Sequence, residues 1–179
     1  MADISVNYLG LDLKSPFIAA SSGYTADLEK IVALSRSGAG AIVLKSLFEE
    51  QINNEIGFLE SCSDDYTENA DFLKRYVTDY SIDKYTQLIK DAKKESGIPV
   101  IASINCYSHS SWTDFAAEIG KAGADALELN IYSLPVNPGK NPQEIEEEYL
   151  KIVKKITETV KIPVAVKLGD YFTNLGNFV

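Results

Sequence analysis

The chain has 179 residues, 45% of them hydrophobic and 24% charged, and a formal net charge of −9. That is enough for one domain with a core of its own, while the acidic balance without a run of Lys or Arg argues against nucleic acid and anionic membrane as partners. No apolar segment approaches the roughly 20 residues that span a bilayer, Cys62 and Cys106 lack a metal or redox spacing, and the single His109 cannot build a histidine-based metal site.

The opening MADISVNYLG has no charged start followed by an apolar run, so it does not read as a secretory signal. With two free thiols, this points to a cytoplasmic protein without a structural metal. ISVNYLGLDLKS predicts a small N-terminal hairpin within residues 1–15, turning near Leu9-Gly10. PFIAAS (16–21) is the first buried strand, and the helical pattern Asp27 to Arg36 follows, stopping at Gly38. GAIVLKS (40–46) is the second strand. Residues 47–79 are rich in Asp, Glu, Asn and Tyr and read as a long active-site loop, because connections of that length are usually functional. Tyr80 to Glu95 predicts a helix ending at Gly97, then PVIASIN (99–105) a strand. Ser111 to Lys121 predicts a helix, DALELNI (125–131) a strand, Pro142 to Val160 a helix and PVAVKL (163–168) a strand.

The strands are continuous apolar runs rather than alternating ones, as expected where both faces are covered. Helix, short Gly or Pro stop, then strand recurs along the chain, which predicts an α/β fold with a parallel sheet in one domain, 1–179. In such sheets ligands gather at the carboxyl ends of the strands. There the sequence places Ser21, Ser22 and Gly23; Lys45 and Ser46; Ser103 and Asn105; Asn130 and then Ser133; and Lys167. Lysine donates to anionic groups, and asparagine both donates and accepts, which suits a planar heterocycle with mixed edges. Taken singly, each has a structural reading. Ser21 to Gly23 would be a strand-to-helix turn, Lys45 and Lys167 would reach to water, Asn105 would cap a helix (Ser110 and Ser111 being better placed), and Asn130 would satisfy loop amides. Their coincidence at one end of one sheet favours a site. Glu128 sits deeper and is expected to pair with a lysine. No GxGxxG follows the first strand, and no GxxxxGK[ST] or CxxC occurs.

The hairpin, SPFIAASSG, VLKS, NEIGF (54–58), ELNI and VAVKL with YFTN, in this order, resemble the first half of the dihydroorotate dehydrogenase family. The resemblance implies a (β/α)8 TIM barrel, here a partial one of about five strands and four connecting helices, since a full barrel takes about 250 residues. It implies FMN as cofactor, a small-molecule pyrimidine as substrate and a place in pyrimidine biosynthesis. Ala20, Ser21, Ser22, Lys45, Ser46, Ser103, Asn105, Asn130 and Lys167 would meet the flavin. Lys45, Asn54, Asn130 and Asn137 would meet the substrate, and Ser133, three residues after Asn130, would be the catalytic base beside Lys45. Departures occur at Leu134-Pro135-Val136-Asn137, at Leu59-Glu60 and at Gly169-Asp170, and they point to a dihydroorotate dehydrogenase-like branch. The open edges of a five-strand sheet leave room for a homo-oligomer without requiring one. Three rival readings remain: a non-catalytic fragment or interaction protein, a flavin barrel acting on another pyrimidine or on tRNA uridines, and an aldolase with Lys167 as Schiff-base lysine.

Overall fold

The computed structural model describes residues 2–62, 70–132, 136–170, 172 and 174–179, without the side chain of His109. A short antiparallel hairpin comes first, β1 (Val6–Tyr8) against β2 (Leu11–Leu13). Leu9 and Gly10 turn it, both at positive φ (56° and 74°), the geometry whose twist matches a two-residue hairpin.

The main sheet is parallel throughout and runs in the order β3 (Ile18–Ala19), β4 (Ala41–Val43), β6 (Val100–Asn105), β7 (Ala126–Asn130), β8 (Val164–Lys167). A short β5 (Leu47–Phe48) continues β4 along the same side of β6. The helices between the strands are α1 (Leu28–Arg36), α2 (Glu49–Ser61), α3 (Ala70–Ser96), α4 (His109–Ala122) and α5 (Pro142–Thr159), and a last turn, α6, covers Leu175–Phe178. Each α1, α4 and α5 start is capped by a side chain that occupies an orphan backbone N–H: Asp27, Ser108 and Asn141. Asn141 and Glu144 form a reciprocal capping box.

Two corrections to the sequence reading follow. The segment 47–79 is not a long loop: its described part is β5, α2 and the first turns of α3, which starts at Ala70 rather than near Tyr80. Between Ala70 and Asp79 only Val77 is buried, so this stretch of helix leaves no apolar stripe to read. The cap of α4 is Ser108, not Ser110 or Ser111.

Strand registers separate two faces. Ile42, Leu44, Val100, Ala102, Ile104, Leu127 and Leu129 point to the helices and form the large core with Ile31, Ile89, Ala92, Phe115, Ile119, Tyr149 and Ile156. The opposite, inner face starts apolar: Ala41, Val43, Ile101 and Ala126 pack under Leu13 of the hairpin, with Leu9, Leu11 and Ile18 at the rim. The hairpin therefore plugs the amino-terminal end of the inner face and leaves the carboxyl ends of the strands to build a site.

Gly40 fixes the entry into β4. Its N–H donates to the Phe17 carbonyl at 2.7 Å, and a Cβ added there would lie 1.9 Å from the Ser15 carbonyl oxygen, a backbone atom that cannot swing away. Gly40→Ala is expected to cost about 1–3 kcal/mol. A denaturant midpoint equal to that of the parent, at equal slope, would count against this close approach.

Candidate active site

On the inner face the apolar floor gives way to polar side chains one step up β6 and β7. Ser103 on β6 stands beside Glu128 on β7, and Glu128 beside Ala165 on β8. The next layer holds Asn105, Asn130 and Lys167, with Asn130 paired to Lys167 in register. The period of two that puts apolar residues under the hairpin puts these residues on the same face at the strand ends.

Lys45 and Ser46 reach this region through a bulge. Val43 pairs with Ile101 and Leu47 with Ile104, so four steps on one strand face three on the other. The extra residue frees the backbone of Lys45 and Ser46 from the ladder. Their amides are taken up by the turn after β3: Lys45 N–H donates to the Thr25 carbonyl (3.2 Å) and Ser46 N–H to Ser21 Oγ (3.0 Å). On β6 the same interruption leaves Ser103 without a partner on the β4–β5 side. Tyr85, reaching in from α3, fills the gap: its hydroxyl donates to the Ser103 carbonyl (3.0 Å) and accepts from the Ser103 N–H (2.8 Å). Burial pushes the Tyr85 phenol well above its ordinary value despite that hydrogen bond, with the Glu128 carboxylate adding to the rise, so it stays a neutral O–H.

A line of hydroxyls crosses the site. Ser21 Oγ lies 3.2 Å from Ser46 Oγ, Ser46 Oγ 2.8 Å from Ser103 Oγ, and Ser103 Oγ donates to Glu128 Oε1 at 2.9 Å. Glu128 was expected to pair with a lysine; in the structure a serine hydroxyl supplies its hydrogen bond, and neither Glu128 nor Lys45 nor Lys167 forms an ion pair among the described residues. Asn105 does not cap α4. Its Nδ2 donates to the Asn130 carbonyl (2.7 Å), tying the ends of β6 and β7 and leaving Oδ1 to accept.

The candidate residues thus fall into groups. Asn105, Asn130 and Lys167 share one layer of the inner face, and Lys45 follows β4. Lys45 and Ser46 also border a cavity of about 570 Å³ between α2 and α3, whose far wall holds Tyr80, Lys84 and Asp91. Ser46 and Ser103 are only 5% and 0% exposed, so they support the site from beneath. Ser21 is half-buried and Ala20 exposed at the turn; Ser22 is exposed too, its oxygen accepting from Tyr24 N–H as the cap of a short 3₁₀ turn. Two residues do not join the group. Asn54 is exposed on α2, on the side opposite the buried Ile52 and Ile56. Asn137 is exposed and spends Oδ1 on the Gly139 N–H of its own turn (2.9 Å). Ser133 lies outside the described residues.

Sequence reasoning missed Tyr85 and Glu49. Glu49, at the start of α2 and 7% exposed, accepts from the Tyr107 and Ser108 amides (2.8 and 2.9 Å) and from the Ser108 and Ser111 hydroxyls (2.6 and 2.7 Å). It clamps the β6–α4 turn, one residue past Asn105 and Cys106. Burial works to raise its carboxyl, but the hydrogen bonds from Ser108, Tyr107 and Ser111 together hold it below its ordinary range. Burial, aided by the Glu49 charge, pushes the Cys106 thiol up, so it remains an unreactive thiol. No signal in the sequence marks either role, since both depend on contacts between distant segments.

The family model for dihydroorotate dehydrogenase matches residues 3–175. The chain belongs to the dihydroorotate dehydrogenase family. Among curated relatives of this dihydroorotate dehydrogenase-family chain, the catalytic subunit of dihydroorotate dehydrogenase B (NAD(+)) from Thermoplasma volcanium is 30% identical over 98% of the chain and 57% of its own length. The same subunit from Methanocella arvoryzae is 33% identical over 96% of the chain and 55% of its own length. Dihydroorotate dehydrogenase A (fumarate) from Limosilactobacillus reuteri is 31% identical over 96% and 56%. The dihydroorotate dehydrogenase-family chain thus spans little more than half the length of these relatives. Among solved structures, a variant of NCR from Zymomonas mobilis superposes with a TM-score of 0.55 at 13% identity, over 98% of the chain and 62% of that protein. A putative dihydrodipicolinate synthase family protein from Coccidioides immitis gives 0.52 at 16% identity, over 91% and 47%. These likenesses establish the fold alone: a partial TIM barrel of parallel β/α units. No helix among the described residues is long and apolar enough to cross a membrane.

Proposed function

We propose that this chain carries the amino-terminal half of the active site of an FMN-dependent oxidoreductase that oxidises dihydroorotate, or a related dihydropyrimidine, in pyrimidine biosynthesis. The observation that carries the reading is the polar layer of the inner face, where Asn105, Asn130 and Lys167 stand at neighbouring strand ends and Lys45 follows at the next. The donor set fits the group: two ammonium groups without ion-pair partners among the described residues can meet carbonyl oxygens and carboxylate, and two amides can match a ring that both donates and accepts.

When bound, the flavin supplies a two-electron acceptor for a hydride. The chain's own residues do the rest. Lys167 and Asn130 orient the planar ring, and Lys45 meets both ring and substrate carboxylate. Ser133 takes the proton from substrate carbon as the hydride leaves, so the substrate loses one proton and one hydride in all. A serine hydroxyl is a weak base, and it needs a hydrogen-bonding neighbour or a water to assist it. Asn54 and Asn137 have no part in this assignment, for the reasons of geometry given above.

Titration of the purified chain with FMN, followed by flavin fluorescence, is expected to show saturable quenching. Lys167→Met should weaken it about tenfold, the worth of one charge-assisted hydrogen bond. A chain that leaves FMN fluorescence unchanged at every concentration would defeat the flavin reading and favour a non-catalytic fragment that keeps its strand-end residues as inheritance.

A further inference from the structure

Resting on that reading, we infer that Glu128 fixes the direction of the Ser21–Ser46–Ser103 hydroxyl line, so that Ser21 meets a bound ligand as a hydrogen-bond acceptor and the site selects a ring imide N–H at that point. A carboxylate can only accept. The one hydrogen of Ser103 is therefore committed to Glu128 Oε1 at 2.9 Å. Ser103 Oγ must then accept at its 2.8 Å contact, which commits the hydrogen of Ser46. Ser46 Oγ in turn can only accept from Ser21 at 3.2 Å. Ser21 also accepts the Ser46 amide at 3.0 Å, which leaves it one lone pair and no hydrogen to offer.

Of the four groups in the line, Ser46 and Ser103 are buried, Glu128 is half-buried at the fixed end and Ser21 is half-buried at the strand end, so Ser21 is the hydroxyl through which the line meets a ligand. Glu128 is a positioning residue: it acts on the ligand through three hydroxyls. Lys45 and Lys167 present only donors, and beside the amide oxygens of Asn105 and Asn130 the Ser21 hydroxyl adds an acceptor for the N–H of an alternating carbonyl, N–H, carbonyl edge.

Two measurements test this. Neutron diffraction from deuterated crystals of the chain reads the line directly and needs no ligand. The expected map has the Ser103 deuteron toward Glu128, that of Ser46 toward Ser103 and that of Ser21 toward Ser46; a Ser46 deuteron toward Ser21 overturns the inference. The second compares FMN with its N3-methyl derivative by fluorescence titration. The parent should bind FMN at least tenfold more tightly than the methylated ring. In Glu128→Leu the line is free to reverse, and the ratio should fall toward one. An unchanged ratio in a folded Glu128→Leu, or a parent that binds both equally, overturns the inference. If FMN does not bind the parent at all, the flavin reading falls, and the neutron map alone decides the direction of the line.

Discussion

Tyr85→Phe is expected to destabilise the chain by about 2–6 kcal/mol, although it removes a single oxygen and keeps the ring. The hydroxyl serves both the N–H and the carbonyl of Ser103, and both bonds are buried. Each buried backbone group left without a partner costs about 1–3 kcal/mol. No strand residue can take over, because the bulge at Lys45 and Ser46 holds β4 and β5 away from Ser103. Urea unfolding should show a lower midpoint at constant slope, and the Ser103 amide should exchange faster than its neighbours on β6. A Phe variant within about 0.5 kcal/mol of the parent would mean that the gap in the ladder is closed some other way.

Glu49→Ala should cost about 3 kcal/mol, since it strips two backbone amides and two hydroxyls of one shared acceptor. Glu49→Gln should cost less, about 1–2 kcal/mol, because an amide oxygen can still accept from the two N–H groups while its NH₂ donates to the two serines. The pair also separates in acid. The Glu49 carboxyl sits below its ordinary value of 4.5 in the folded chain, so the unfolded state binds the proton first as pH falls. Its contribution to stability is complete above the ordinary carboxylate range and is lost as pH drops through the lowered folded value. Subtracting the Gln variant's stability from the parent's at each pH should therefore give a difference that shrinks below about pH 4.5. A difference that stays flat to pH 2 would show that the clamp does not depend on the charge.

The strands were legible because apolar runs between Gly or Pro stops leave few alternatives to a buried parallel strand. PVIASIN and DALELNI became β6 and β7 within a residue of either end. The α5 start was equally plain, with Pro142 and early glutamates after Asn141. Residues 70–79 were not legible as helix, since a segment with one buried side chain carries no period to detect. Of the site, Asn105, Asn130 and Lys167 followed from strand-end position alone. The place of Asn54 did not, because it turned on whether 47–79 was loop or helix. Glu128 was assigned the wrong partner for a related reason: charge suggests a lysine, whereas register puts Ser103 beside it.

By itself, then, the amino-acid pattern determined the parallel α/β class, the succession of the five main strands and which residues stand at the strand ends, because period and stop signals act within a dozen residues of one another. Only the tertiary structure decided the bulge at Lys45, the Tyr85 plug, the Glu49 clamp and the contacts of the hydroxyl line. Each of these joins groups 18 to 62 residues apart, and a hydrogen bond is selected by distance and angle in space, to which spacing along the chain gives no guide.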